Sequence, residues 1–272
     1  EEGYLRECGL QDLAISTVVS WAGAWTTVRS HAVRMQSVAD CWISGIESFE
    51  SPNSSDDRGR HLMNGGVIVA DSKRVTIADC YLGHAQNRGS GGCGYLFEIG
   101  RSSEVLVRDC TGTAGRHNFI QNWDFGTTGC VWLRTESSEG WAASTDSELI
   151  GSVGLSEYHH SLAMANLVDD SVADDGWGAI NRYFWSSGAG ITSTEGVFWN
   201  LRGEGSLDSY NYGWGYVIGT QGLTVAVEID DSEILHPGLG TEPEDWTEGL
   251  GEGAGLVPRS LYEDQLSRRL SR

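Results

Sequence analysis

Lysine is almost absent from this sequence: Lys73 is the only one, and the remaining basic residues are arginines. The 18 basic residues face 38 acidic ones, which leaves a formal net charge of −20. Nucleic acids and anionic membranes bind proteins through lysine and arginine, so this balance predicts neither as a partner. Long apolar runs are lacking as well, since no stretch approaches the roughly 20 residues that a membrane helix needs.

Proline is scarce, with 4 residues, whereas the chain has 37 glycines and 11 tryptophans. Together with many Val, Ile, Thr and Ser residues, this mixture favours short strands joined by tight turns over helices. The sequence also lacks an N-terminal targeting signal. Its first residues read as the middle of a domain, which suggests a processed or truncated N-terminus.

The cysteines lack the C-x-x-C spacing of zinc sites and are too sparse for a disulfide scaffold. Three of the six, Cys41, Cys80 and Cys110, are expected at one position in successive repeats. Small buried free thiols explain such a column, and a disulfide is the alternative. The other three are Cys8, Cys93 and Cys130.

The sequence repeats itself. Residues 71–80 read DSKRVTIADC and residues 101–110 read RSSEVLVRDC, an offset of 30. Weaker copies occur upstream and downstream, and they give steps of 39, 30, 26, 34, 32 and 30 residues between the positions taken as equivalent: Val38, Ile77, Val107, Leu133, Leu167, Trp199 and Ile229. Periods of about 20–50 residues indicate a solenoid, in which each coil buries its apolar face only by stacking on its neighbours.

Three longer segments carry a resemblance to a known family. The V-x-[VI]-x-D-C repeat, together with residues 83–100, 115–134 and 156–171, is similar to the pectate-lyase-like β-helix superfamily, in particular to bacterial parallel β-helix repeat proteins. The resemblance implies an all-β fold, a right-handed parallel β-helix, and an extracellular or cell-surface location. That superfamily includes lyases, hydrolases, epimerases and non-catalytic proteins, and its polygalacturonase, pectate lyase and epimerase motifs have no full match here.

The predicted organisation is a single domain. Residues 1–237 form the coils, residues 238–257 form a Gly/Glu-rich loop, and residues 258–272 form a short C-terminal helix. Ser260 and Glu263 make a capping box at the start of that helix. We expect the helix to cover the open end of the stack, where a sheet edge would otherwise be exposed.

Polar and aromatic clusters follow successive repeats, so stacking would place them about 5 Å apart in one lateral strip. Such a strip suits a sugar, because aromatic rings stack on pyranose faces and polar groups bond hydroxyls or carboxylates. The residues expected to carry catalysis are His117, Tyr158, His159 and Arg182. Those expected to bind substrate are His84, Arg88, Arg116, Asn122, Trp123, Asp124, Trp185, Tyr212 and Trp214. Of His159 and His160, at most one is expected in the strip.

Two chemistries fit this composition. Elimination or epimerisation of a uronic acid needs a base, an acid and a cation for the carboxylate, roles open to the four catalytic candidates. Glycoside hydrolysis needs two carboxylates, which Asp124, Glu157, Asp174 and Asp175 offer.

A polysaccharide or oligosaccharide is the predicted partner under either chemistry. The alternatives are a carbohydrate-binding protein without catalysis and a structural, self-associating solenoid. The sequence requires no cofactor and assigns no metal ligands. Three pairs of adjacent aspartates could bind Ca²⁺ through their clustered oxygens: 169–170, 174–175 and 230–231. The alternative is that these aspartates lie in solvated turns.

Overall fold

Short parallel strands recur along the whole described part of the chain. The structure, a computed structural model, describes residues 3–17, 21–27, 29–53, 59–89, 91–122, 125–142, 154–182, 184–228 and 242–272. Every strand pair in these ranges is parallel. Parallel neighbours that follow one another along the chain must be joined by a connection that returns across the stack, which is how a coil forms.

The described strands are β1 (Leu5–Arg6), β2 (Gly9–Ile15), β3 (His31–Gln36), β4 (Val38–Ser48), β5 (Gly65–Ala70), β6 (Lys73–Ala78), β7 (Tyr81–Gly83), β8 (Tyr95–Gly100), β9 (Leu106–Arg108), β10 (Thr111–Thr113), β11 (His117–Gln121), β12 (Thr127–Thr128), β13 (Val131–Leu133), β14 (Glu136–Ser138), β15 (Ser156–Tyr158), β16 (Ala163–Met164), β17 (Leu167–Asp169), β18 (Val172–Ala173), β19 (Trp177–Ala179), β20 (Ser193–Thr194), β21 (Gly196–Arg202), β22 (Ser206–Ser209), β23 (Gly215–Gln221), β24 (Thr224–Ala226) and β25 (Trp246–Glu248). The helices are α1 (Trp21–Thr26) and α2 (Leu261–Leu270). Gly253–Gly255 form a 3₁₀ turn, and Trp185–Gly188 form a short helical segment with left-handed backbone at Ser186 and Ser187. No described helix has the length and apolarity to cross a membrane.

The strands form three stacks. A 14-stranded sheet bends where β4 pairs with both β6 and β7, and again where β21 pairs with both β17 and β18. An eight-stranded sheet runs β24-β22-β19-β15-β11-β8-β5-β3, and we call it the site sheet. A three-stranded sheet holds β12, β16 and β20. The predicted fold class, an all-β parallel β-helix with a short C-terminal helix, is confirmed.

One column of apolar side chains runs through the core of the 14-stranded sheet. Its members are paired strand to strand and are almost fully buried: Ile43, Ile77, Val107, Trp132, Val168, Phe198 and Val217. Their offsets are 34, 30, 25, 36, 30 and 19 residues. The predicted period therefore holds, but the alignment was wrong outside residues 77–107. Its first step was five residues too long; Leu133 and Trp199 lie one residue past the inward position, and Leu167 lies one residue before it. The last position, Ile229, lies outside the described residues.

Aspartate in the repeated D-C pair has a conformational reason. Asp40, Asp79 and Asp109 adopt φ values of 57, 55 and 53°, the left-handed region that aspartate tolerates better than most residues. Asp79 and Asp109 mark corners where the chain turns between strands, whereas Asp40 lies within β4. The following cysteines do not all share one column, however.

Cys80 and Cys110 lie on adjacent strands, whereas Cys41 pairs with Val75 and contacts Cys8, whose backbone N is 3.5 Å from the Cys41 Sγ. The three-cysteine column was therefore wrong. The six cysteines are free thiols, and all except Cys8 are buried.

Helix α2 begins as predicted but does not lie where expected. Ser260 is its N-cap, with its side chain accepting a hydrogen bond from the backbone N–H of Glu263. Asp169, at the end of β17, accepts hydrogen bonds from the Ser260 hydroxyl at 2.7 Å and from the backbone N–H of Tyr262 at 2.8 Å. Because β17 belongs to a middle coil, these contacts fix the helix on the flank of the stack. The expectation that it covers the open end is thus corrected.

Candidate functional site

The outer face of the site sheet carries two buried glutamates. Glu98 on β8 pairs with Ile120 on β11, which pairs in turn with Glu157 on β15. Both glutamates are 1% exposed. Alternation in β8 and β15 explains their direction, because Phe97 and Tyr158 beside them point into the core. Carboxylates buried this deeply need charged and hydrogen-bonded partners.

Three side chains surround Glu157. His117 Nε2 lies 3.2 Å from its Oε1, His159 Nδ1 forms a very short hydrogen bond with the same oxygen, and Arg182 donates to Oε2. The rings of His117 and His159 are 5.5 Å apart. We call His117, Glu157 and His159 the histidine–glutamate centre.

Burial and charge set the protonation of the centre. Burial lowers the pKa of His117 to about 3, so its ring is neutral near neutral pH. Its Nδ1 donates to the Leu155 carbonyl at 2.5 Å, which leaves the lone pair on Nε2. Burial acts to raise the pKa of Glu157, but the neighbouring histidines and the permanent charge of Arg182 outweigh it and hold that pKa well below its usual range.

Glu98 has a similar set of partners. His31 Nε2 lies 2.8 Å from its Oε2, Arg29 pairs with Oε1, and the Asn122 amide donates to Oε1 at 3.1 Å. Neutralising partners therefore hold both glutamates on the same face of one sheet.

Two adjoining cavities open over this face. Cavity 1 has a volume of about 280 Å³ and is lined by Tyr95, Arg116, His159, His160 and other residues. Cavity 2 has a volume of about 330 Å³ and lies over Glu98. Arg29 and Asn122 line both, so the cavities adjoin. We call the pair the arginine groove, after the four arginines in its walls: Arg29, Arg34, Arg101 and Arg116.

A third cavity, of about 670 Å³, is lined largely by apolar side chains. Tyr212 and Trp214 are among them, with Phe125, Leu162 and Ile191. Trp214 is 58% exposed, and the Tyr212 hydroxyl is hydrogen-bonded to Asn181. These two predicted substrate-binding residues are therefore at a surface, but not in the arginine groove.

Tyr158 is not at the surface. It is 0% exposed, belongs to the core cluster and packs on Trp177 and Phe198 at ring distances of 6.1 Å. Burial holds the pKa of its phenol far above the usual range. The expected position of Tyr158 beside His117 in the strip was wrong, because alternation in β15 turns Glu157 outward and Tyr158 inward.

The other predicted residues are divided among several places. His84 contacts His61 in a tilted arrangement with ring centroids 4.6 Å apart, away from both groove cavities, and Arg88 is buried. Arg116 and Asn122 line the groove. His159 and His160 both line cavity 1, so the expectation that only one would do so was wrong; β15 ends at Tyr158, and strand alternation does not extend to them. Trp123, Asp124 and the Trp185 side chain lie outside the described residues.

The aspartates have mostly structural surroundings. Asp175 faces the core side, where it accepts hydrogen bonds from Ser137 at 2.6 Å and Asn118 at 2.7 Å. Asp174 is exposed. Asp169 and Asp170 bind the C-terminal segment rather than presenting free oxygens to Ca²⁺. The pair 230–231 lies outside the described residues.

The prediction from sequence missed Arg29, His31, Tyr95 and Glu98. Glu98 had a signal, because it is the only charged residue in the apolar strand Tyr95–Gly100. Arg29 and His31 had none, since they precede the recognisable repeats. Their place in the groove depends on pairing between β3 and β5.

No family model matches this chain, and no curated protein matches it in sequence. Among solved structures, the endo-xylogalacturonan hydrolase from Aspergillus tubingensis shows a distant likeness, with a TM-score of 0.37 and 12% sequence identity. The likeness covers 82% of this chain and 64% of that one, so the chain spans less than two thirds of that hydrolase's length.

Proposed function

We propose that this chain binds an acidic polysaccharide in the arginine groove and removes a proton from its uronate units, as lyases and epimerases do. The observation that carries the proposal is the concentration of positive charge. The chain has only 18 basic residues and a formal net charge of −20, yet four arginines line these two cavities, of which Arg29 is paired with Glu98 and Arg101 with Asp71. Guanidinium groups bind carboxylates in a planar, bidentate manner, so such a groove suits a chain of uronates.

Arg116 is the best placed of the four to receive a substrate carboxylate. Within the described part of the chain it forms no ion pair, and its guanidinium donates to the Gly89 carbonyl at 2.6 Å. Its remaining N–H groups are available to a ligand. Asn122 Oδ1 is buried without a hydrogen-bond donor among the described residues, so it can accept a hydrogen bond from a sugar hydroxyl.

Proton abstraction from C5 of a uronate needs a base, a neutralised carboxylate and, for elimination, a proton donor to the departing oxygen. In our proposal the histidine–glutamate centre supplies the base, and His159 is its member on cavity 1. Burial keeps the pKa of Tyr95 far above its usual range, so its phenol stays protonated and can donate a hydrogen bond to the departing oxygen.

Hydrolysis receives less support. An inverting or retaining glycosidase needs one carboxylic acid that is protonated near its working pH. Arg182 holds Glu157 ionised, and Arg29 pairs with Glu98. Asp175 does have a raised pKa, of about 6 because of burial, but it faces the core side rather than the groove.

A panel of acidic and neutral polysaccharides tests the proposal, with products scored for unsaturated uronates, C5 exchange with solvent and new reducing ends. We expect His159→Gln to lower turnover by about 10²–10⁴-fold, the usual contribution of a general acid–base group. Asp174→Asn, at an exposed carboxylate outside the groove, is the matched control and should keep full activity. If only Asp174→Asn lost activity and the products were new reducing ends, the hydrolase would replace the lyase.

Binding separates the remaining alternatives. Polyuronate binding without turnover, weakened by Arg116→Gln, would favour a carbohydrate-binding protein. Neither binding nor turnover would favour a structural, self-associating solenoid. A polysaccharide ligand also supports the extracellular or cell-surface location and the membership of the pectate-lyase-like superfamily, which we include in the proposal.

A further inference from the structure

The histidine–glutamate centre contains a buried nitrogen that the protein leaves without a hydrogen bond. His117 Nε2 has no such partner among the described residues, although Glu157 Oε1 is 3.2 Å away. The carboxylate oxygen cannot satisfy this nitrogen, because Nδ1–H donates to the Leu155 carbonyl and both facing atoms then carry lone pairs. His117 is 6% exposed, so solvent offers little compensation. A buried lone pair of this kind needs an electrophilic partner.

The spacing of the three donor atoms is that of metal ligands. His117 Nε2, Glu157 Oε1 and His159 Nδ1 lie within 4.8 Å of one another. Ligand atoms bound at about 2.0–2.2 Å in a tetrahedral site are about 3.3 Å apart, close to the 3.2 Å between His117 and Glu157. One ion could therefore contact all three after small side-chain adjustments.

The hydrogen bonds around these three residues are also those of a metal site. A histidine that binds a metal usually donates its other ring N–H to a carbonyl or carboxylate, as His117 does to the Leu155 carbonyl. Arg182 holds the second oxygen of Glu157, which orients the first toward the histidines. Two imidazoles and one carboxylate suit Zn²⁺ and neighbouring first-row ions, whereas Ca²⁺ prefers oxygen ligands throughout.

We propose that His117, Glu157 and His159 form a binding site for a divalent transition-metal ion of the Zn²⁺ class. Three protein ligands leave a fourth position open, as in catalytic zinc sites. His159 lines cavity 1, so the open position faces the arginine groove.

A role in catalysis rests on the proposed function. With the ion in place His159 is a ligand, and the base is a metal-bound hydroxide. The hydroxide would take the C5 proton and become water, the C4–O bond would break as the C4=C5 bond forms, and the Tyr95 phenol would give its proton to the departing oxygen.

Titration of the metal-free full chain with Co²⁺ and Zn²⁺ tests the site, followed by visible absorbance for Co²⁺ and by calorimetry for both ions. We expect one ion per chain and a four- or five-coordinate cobalt spectrum. Glu157→Gln, His117→Gln and His159→Gln should each weaken binding by more than about 100-fold, beyond the 10–100-fold loss typical of groups that only support a ligand. Circular dichroism identifies any variant that fails to fold.

His31→Gln is the matched control. His31 is also a buried histidine against a buried glutamate, 2.8 Å from Glu98, but it is not part of the three-ligand group. Its replacement should leave metal affinity unchanged.

Absence of saturable binding to the unaltered chain would overturn the proposal, as would binding that all three ligand variants retain. Polyuronate turnover that survives metal removal would overturn the catalytic role of the ion but leave the proposed function standing. A bound ion with no polyuronate binding would overturn the proposed function but leave the metal site standing.

Discussion

At the scale of single residues, the direction of Tyr158 has a measurable consequence. Its hydroxyl is buried in the core without a hydrogen-bond partner among the described residues. An unsatisfied buried polar group costs about 1–3 kcal/mol, so Tyr158→Phe should leave the free energy of unfolding unchanged or raise it by about 1 kcal/mol. Tyr158→Ala, which removes the packed ring, should lower it by about 3–5 kcal/mol. Urea unfolding of both variants measures this, and a clear loss in Tyr158→Phe would mean that the hydroxyl has a partner.

Asp175 links stability to pH. Burial raises its pKa from 3.8 to about 6, so the folded chain holds this proton more tightly than the unfolded chain. Its contribution to stability is present below the unfolded pKa and is lost as pH rises through about 6, with an upper limit of about 3 kcal/mol. Asp175→Asn removes this dependence. The difference in unfolding free energy between the two proteins should therefore change between about pH 4 and pH 7, and a constant difference would contradict the assignment.

The limits of prediction at this scale follow from strand alternation. Spacing along the sequence suggested that His117, His159 and Arg182 converge, and the structure does bring them around Glu157; their catalytic roles stay predictions. The repeat could not show which residue of β15 faces outward, because one residue of misalignment exchanges the two faces. For that reason Tyr158 was expected in the strip although it faces the core.

At the scale of elements, Asp169 attaches helix α2 to the stack. It accepts hydrogen bonds from Ser260 and from the first N–H groups of the helix, at 2.7 to 3.2 Å. Replacing a capping acceptor by alanine costs about 0.5–2 kcal/mol, so Asp169→Ala should release the helix before the coils unfold. Hydrogen exchange should then accelerate in residues 261–264 while that of β17 changes little. Leu270→Ala, at a side chain 77% exposed, is the control and should leave exchange unchanged.

The helix also shows what local signals can predict. Ser260, Glu263 and the leucine spacing were enough to predict where it begins, because capping depends on neighbours in sequence. Its position on the flank depends on Asp169 and Asp170, about 90 residues earlier in the chain. Nothing near the helix in the sequence announces those contacts.

At the scale of the whole molecule, the acidic surface and the arginine groove act on a polyanion in opposite directions. Charges beyond about 10 Å are screened at about 0.1 M salt, whereas direct guanidinium contacts need about 1 M. Under the proposed function, polyuronate affinity should therefore rise between about 10 mM and 100 mM salt and fall again towards 1 M. Calorimetry with a neutral polysaccharide as control measures this. A steady decline from the lowest salt would show that the distant acidic charge does not oppose binding.

The number of residues per coil varies widely, although the core column is continuous. Phe198 and Val217 are neighbours in the core column only 19 residues apart, whereas Trp132 and Val168 are 36 apart. Coils longer than 19 residues carry additional residues between two column positions, and the inward column does not depend on the number of those residues. The longest of these segments contains Glu157 and His159, whereas His117 and Arg182 come from the coils before and after it. Transplanting the centre to another parallel β-helix would therefore require three successive coils, and Tyr158 within them would have to keep its place in the core.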